Sequence, residues 1–197
     1  MVKPFRFNPE SQLGMQEGRD FERNLFSDVR VDDPQYQERL IQLVRKYGER
    51  RIPFNELAEL IENFQADDPI NPSKEFSRDL RLEVAEKLGY EGEDIDRVKI
   101  FGALKTPLDI QGADGFISIQ ILGKKIKRVT LDGTLNQEKL SSGGRADVVF
   151  GGEDLPAPVD PKYLKAVDDI ANQVIIKLNL RDKKQNPRSI DRDAETM

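Results

Sequence analysis

The spacing of apolar residues changes near residue 97, and this change restricts the fold more than any other feature of the chain. Before it, apolar side chains recur every three or four residues, which is typical of amphipathic helices. After it they alternate along short segments, which is typical of half-buried strands. The last apolar segment returns to helical spacing. The predicted helices are 34–47, 54–64, 73–88 and 160–178, and the predicted strands are 97–101, 116–122, 126–132 and 146–150. We therefore predict an α+β fold with a small, mainly antiparallel sheet.

Local signals fix several of these boundaries. Asp33 is a helix-capping residue followed by Pro34, and proline favours the first position of a helix. Gly48 is suited to the end of that helix, and Ser73 to the start of the third. Gly123 and Lys124 separate two alternating segments, which predicts a hairpin turn between the second and third strands.

The chain divides into three predicted parts. Residues 1–33 show no clear period, so we expect an irregular N-terminal arm that lays its aromatic side chains on the main body. Residues 34–178 form one predicted α+β domain, and residues 179–197 have the polar composition of a disordered tail. The arm also admits a second interpretation, in which it docks a partner protein or a second copy of the chain.

Composition excludes several classes of chemistry. The chain contains no cysteine and no histidine, which removes disulfides, thiolate nucleophiles, histidine general bases and the usual zinc ligands. Catalysis must then rely on carboxylates, lysine, arginine, hydroxyl groups or a metal held by oxygen. There is no secretory signal and no apolar run of the roughly 20 residues that span a bilayer, so we expect a cytoplasmic protein without a membrane partner.

Two aspartates form the main candidate site. Asp114 precedes the strand that carries Ile117 and Ile119, and Asp132 ends the next strand. A hairpin that turns at Gly123 brings the two carboxylates close to opposite one another, within reach of a shared Mg²⁺ or Mn²⁺. The alternative is that both are turn residues, because each is followed by glycine and Asp-Gly is common in turns.

These elements resemble the core of the PD-(D/E)XK nuclease superfamily over residues 73–150. In that family an acid begins the second strand, an acid-x-lysine element lies on the third, and a helix glutamate sometimes completes the metal site. The resemblance implies a metal-dependent nuclease, a hydrolase of DNA or RNA, with Asp114 and Asp132 as catalytic metal ligands and Glu83 as the helix ligand. Thr134 stands in place of the family's lysine, so the resemblance leaves Lys139 as the candidate cation and implies an active or degenerate nuclease.

The partners suggested by charge are less specific. Residues 99–145 carry four more basic than acidic side chains, although the whole chain has a net charge of −5. The basic hairpin at 124–128 is a candidate nucleic-acid contact, or an edge protected from aggregation by its lysines. The other function classes left open are a non-catalytic interaction or assembly module, including a homo-oligomer, and a small-molecule site built from the loops at 141–158.

Overall fold

The computed structural model describes residues 9–48, 51–121, 125–136, 140 and 145–185. The helices are α1 (Pro9–Leu25), α2 (Pro34–Tyr47), α3 (Phe54–Phe64), α4 (Glu75–Lys87), α5 (Pro107–Ile110) and α6 (Tyr163–Gln185), with a 3-10 turn at Gly92–Arg97. The strands are β1 (Val98–Gly102), β2 (Gly115–Ile119), β3 (Lys127–Thr134) and β4 (Val148–Gly151). No helix within the described ranges has both the length and the apolar character needed to cross a membrane.

The described strands form one four-stranded sheet in the order β1-β2-β3-β4. The first two pairings are antiparallel, and β3 pairs with β4 in parallel. This confirms the predicted α+β class and the mainly antiparallel sheet. The hairpin turn predicted at Gly123 and Lys124 lies outside the described residues.

One face of the sheet packs against α4, α6 and the end of α1. Alternate strand residues such as Ile100, Ile117 and Leu131 point into this layer, where they are buried with apolar side chains of the three helices. The Ser77 hydroxyl of α4 donates to the Leu25 carbonyl at 2.6 Å, which fixes the end of α1 against α4.

The opposite face is covered over part of its area by α2, α3 and α5. Phe101 and Phe116 lie side by side on neighbouring strands, with ring centroids 5.0 Å apart, and both belong to the apolar cluster formed with these helices. Because α2, α3 and α5 cover only part of this sheet face, polar residues occupy its ends.

Both chain ends differ from the prediction. The expectation of an irregular arm over residues 1–33 is wrong for Pro9–Leu25, which is helical and contacts β3 and α4. The prediction that aromatics from this region pack on the body is confirmed by Phe26, which is buried. The predicted tail at 179–197 is also wrong at its start, because α6 continues to Gln185. Residues 1–8 and 186–197 lie outside the described part of the chain.

Candidate functional site

The β2–β3 ladder ends beside Asp114 and Asp132. Gly115 pairs with Leu131 in the last pair of the ladder, and Asp114 directly precedes Gly115 while Asp132 directly follows Leu131. The Asp114 amide donates to the Leu131 carbonyl at 2.9 Å, and the Asp114 carbonyl accepts from the Ala103 amide at 2.7 Å. Leu131 packs with α4 and α6, so the side chain of the following Asp132 projects from the opposite side of the sheet. The two aspartates thus adjoin the same end of the ladder.

The turn interpretation is wrong for Asp132 alone. Asp132 lies inside β3, which continues to Thr134, and the following Gly133 pairs with Phe150 in the parallel ladder. Asp114 lies in a bend directly before β2, and its backbone is hydrogen-bonded to both neighbouring strands. The left-handed glycine of this region is Gly112, at φ 94°, two residues before Asp114.

Both carboxylates are withdrawn from solvent. Asp114 is 3% exposed and Asp132 is 0% exposed, whereas the sequence led us to expect them outside the core. Asp114 Oδ2 accepts a hydrogen bond from the Gly133 amide at 2.9 Å, so the backbone of β3 orients the Asp114 side chain. Ionised carboxylates that lie close together repel each other, and a shared cation or proton relieves such repulsion.

Thr134 lies two residues beyond Asp132 on the same side of β3 and is buried. Its hydroxyl accepts a hydrogen bond from the Asn136 amide at 3.1 Å. The position that holds lysine in the resembling family is therefore occupied by a neutral hydroxyl engaged with the backbone. Lys139, the predicted substitute, lies outside the described residues, as does the loop at 141–144.

The structure does not bring Glu83 to the aspartate pair. Glu83 lies on α4, which covers the other face of the sheet, and its carboxylate is 3.3 Å from the Lys87 ammonium. Lys87 is also paired with Asp168 of α6, so these three side chains join the two helices. Within the part of the chain that the structure describes, no group of three or more acidic side chains is arranged to hold a metal ion. A cation bound by Asp114 and Asp132 would therefore take its remaining ligands from groups other than the described acidic side chains.

The basic hairpin is less cationic than its sequence indicates. Arg128 donates from Nε to Glu62 Oε1 at 2.8 Å and from Nη2 to Glu62 Oε2 at 3.0 Å. This two-point pairing neutralises the guanidinium against α3. Lys125 is exposed and Lys127 is half-buried, while Lys124 lies outside the described residues.

Sequence reasoning missed two clefts that border α5, one through Asp109 and the other through Leu108. The first, which we call the Arg19 cleft, has a volume of about 610 Å³ and is lined by Arg19 and Arg23 of α1 and by Lys105, among others. The second, which we call the Arg145 cleft, has a volume of about 230 Å³ and includes Arg145. The spacing of Arg19 and Arg23 was the available signal, because residues four apart share one face of a helix.

Carboxylate oxygens are ligands that a hard divalent cation can use. Mg²⁺ prefers oxygen ligands and is commonly held by one or two carboxylates together with water and substrate phosphate oxygens. Asp114 and Asp132 are two carboxylates at the same end of the β2–β3 ladder. No protein-family model, curated protein or solved structure matches this chain, so similarity to known proteins assigns it no family.

Proposed function

We propose that Asp114 and Asp132 bind one divalent cation, Mg²⁺ or Mn²⁺, and that the chain is a metal-dependent nuclease-like protein that acts on or binds nucleic acid. The observation that carries the proposal is that two buried carboxylates, Asp114 and Asp132, adjoin the last pair of the β2–β3 ladder, Gly115 and Leu131. Such a pair is costly to bury unless its charge is compensated, and a shared cation provides that compensation.

Each residue of the pair has a defined part in this site. Asp114 Oδ2 accepts a hydrogen bond from the Gly133 amide, which holds the side chain in place. Asp132 is fixed by strands on both sides, because β3 is an interior strand. When bound, the cation would polarise a phosphodiester and lower the pKa of a coordinated water. Thr134 adds no positive charge, so we expect nuclease activity to be slow or absent unless Lys139 supplies the cation.

The phosphate contacts of this proposal come from two places. Lys125 and Lys127 lie at the hairpin end of β3, and Lys127 is five positions before Asp132, which is roughly 17 Å along a strand. The Arg19 cleft lies nearer, because its lining residue Leu104 directly follows Ala103, the ladder partner of Asp114.

The second candidate function is a non-catalytic interaction module. The observation that favours it is an apolar cleft of about 460 Å³ between α1 and the loop at 152–158. Leu135 on its wall is 45% exposed, and Val159 and Leu164 beside the same loop are also exposed. Exposed apolar groups gathered in this way are typical of surfaces that bind another protein.

Thermal unfolding with and without Mn²⁺ tests the metal site without a known substrate. A cation that binds only the folded state stabilises it by about 1.4 kcal/mol at tenfold excess over its dissociation constant, which is a rise in Tm of roughly 3–6 °C for a chain of this size. We expect this rise in the wild type and its loss in Asp114→Asn and Asp132→Asn. The matched control is Asp32→Asn, which removes an exposed carboxylate and should keep the metal response.

The comparison of each variant with and without Mn²⁺ separates metal binding from any direct effect of the substitution on stability. If the wild type shows no rise in Tm at millimolar Mn²⁺, the cation site is wrong and the interaction module becomes the better assignment. If both variants keep the full rise, the metal binds elsewhere.

A further inference from the structure

The Arg145 cleft opens beside the aspartate pair. Ala113 in its wall directly precedes Asp114, and Thr130 lies two residues before Asp132 on the same side of β3. The remaining chemistry of the wall comes from Phe54, Gln111, Arg145 and Asp147. A ligand in this cleft therefore lies next to the proposed cation.

Arg145 supplies a cation that no described carboxylate neutralises. Its side chain is exposed, and its carbons pass the backbone of Gly112 closely enough that a Cβ at residue 112 would lie 3.5 Å from the Arg145 Cβ. In the described part of the chain, Arg81, Arg97 and Arg128 each form an ion pair, whereas Arg145 forms none. A guanidinium of this kind is well suited to bind a phosphate group.

Phe54 gives the cleft an aromatic wall. Its ring meets Phe116 edge to face, with centroids 5.9 Å apart, so the ring is held in one orientation by the core of the domain. Aromatic side chains fixed in this way are the platforms on which unpaired nucleic-acid bases stack.

The polar groups of the cleft argue against a simple anion site. Asp147 Oδ2 accepts from the Thr130 amide at 2.9 Å and from the Thr130 hydroxyl at 2.8 Å, so a carboxylate is anchored in the same cleft as Arg145. Asp147 and Arg145 form no ion pair, but the carboxylate repels anions that approach the guanidinium, which disfavours a free phosphate with its multiple charge. A nucleotide within a chain carries one charge and a base whose edge offers hydrogen bonds to groups such as the Gln111 amide.

We infer that the Arg145 cleft binds one nucleotide of a single-stranded nucleic acid, with its phosphodiester on Arg145 and its base against Phe54. The inference deepens the proposed function and rests on it for the assignment of nucleic acid. A cleft of about 230 Å³ accepts one unstacked base, whereas a duplex keeps its bases paired and stacked. The site therefore selects single strands over duplexes.

Fluorescence anisotropy with a labelled oligothymidylate of about 12 nucleotides tests the inference, because this length falls within the range bound by compact single-strand sites. The titration is made in EDTA, so that it reports the cleft independently of the metal. We expect Arg145→Ala to weaken binding by at least about fivefold, because a hydrogen bond between charged groups contributes at least that much. The affinity of Arg145→Lys should lie between those of the wild type and Arg145→Ala. Phe54→Leu, which keeps an apolar group of similar size, should also weaken binding.

Arg45→Ala is the matched control, since Arg45 is an exposed arginine of α2 that lines neither cleft. It should change the affinity less than twofold. Equal losses in Arg45→Ala and Arg145→Ala would reduce the effect to general electrostatics and overturn the inference, as would unchanged binding in Arg145→Ala. A duplex that competes as well as the single strand would also overturn it. If the affinity in EDTA depends on Arg145 but Mn²⁺ does not raise the Tm, the inference about the Arg145 cleft is supported and the proposed cation site is wrong.

Discussion

The pairing of Arg128 with Glu62 gives a stability prediction whose size follows from the structure. The two hydrogen bonds are short and charge-assisted, and the side chains are 10% and 22% exposed. Breaking a buried pair costs about 3–5 kcal/mol, and an exposed pair contributes only about 0.2–1 kcal/mol. For this mostly covered pair we expect Glu62→Gln to lower the free energy of unfolding by about 2–3 kcal/mol.

The measurement is a double-mutant cycle of Glu62→Gln and Arg128→Gln, followed by urea unfolding with far-UV circular dichroism. Asp20→Asn is the control, because the Asp20–Arg23 pair is more than half exposed on both sides and separated by 3.6 Å, so its loss should cost less than about 0.5 kcal/mol. A coupling energy between residues 62 and 128 below about 0.5 kcal/mol would refute the reasoning, since a two-point pair withdrawn from solvent cannot be that weak if it forms.

Two further predictions concern the scaffold. Arg81 is buried and donates to the Val98 and Ile95 carbonyls, so Arg81→Met should lower the free energy of unfolding by about 3–5 kcal/mol in urea, and a loss below about 1 kcal/mol would contradict this. Burial alone would raise the pKa of Asp67, but hydrogen bonds from Ser73 and Ser27 outweigh it and hold the pKa below its usual range. The folded pKa is thus below the unfolded value of about 3.9, so this stabilisation is present above that pH and is lost as the pH falls through the folded pKa. Asp67→Asn should reduce the fall in the free energy of unfolding between about pH 5 and pH 2, as measured by urea unfolding. An unchanged fall would show that Asp67 does not cause it.

Local signals explain why some helices could be predicted from the sequence. The Asp33 side chain accepts from the Gln35 amide at 2.8 Å, and Gly48 ends the helix at φ 81°, as the sequence indicated. Ser73 was predicted to cap the third helix, but its hydroxyl and amide bind Asp67 instead, and α4 begins at Glu75 without a side-chain cap. The competing acceptor lies six residues earlier in the chain, which the local pattern does not reveal.

Helix α1 could not be predicted because its stability depends on tertiary contacts. Apolar residues are sparse from Pro9 to Leu25, and Gly14 and Gly18 lower the helix propensity further. The helix is stabilised where Phe21 and Leu25 meet the core, and packing of this kind commonly overrides a weak local preference.

The strand register at the candidate site could be predicted from the sequence, but the packing around the site could not. Counting residues from the hairpin turn was enough to bring Asp114 and Asp132 to the same end of the β2–β3 ladder, because antiparallel register follows from the turn. Their burial depends on elements that are distant in sequence, and so does the pairing of Arg128 with Glu62, which lie 66 residues apart. The basic hairpin therefore looked more available for nucleic acid in the sequence than it is in the structure.

The central claim is that Asp114 and Asp132 together hold one divalent cation. Electron paramagnetic resonance of Mn²⁺ measures this directly, because the free ion gives a strong signal that is lost on binding. We predict that the wild type and Asp32→Asn bind about one Mn²⁺ per chain with the affinity of a carboxylate site, and that Asp114→Asn and Asp132→Asn leave the ion free. A wild-type titration that matches buffer alone, or an Asp132→Asn variant that binds as many ions as the wild type, would contradict the claim.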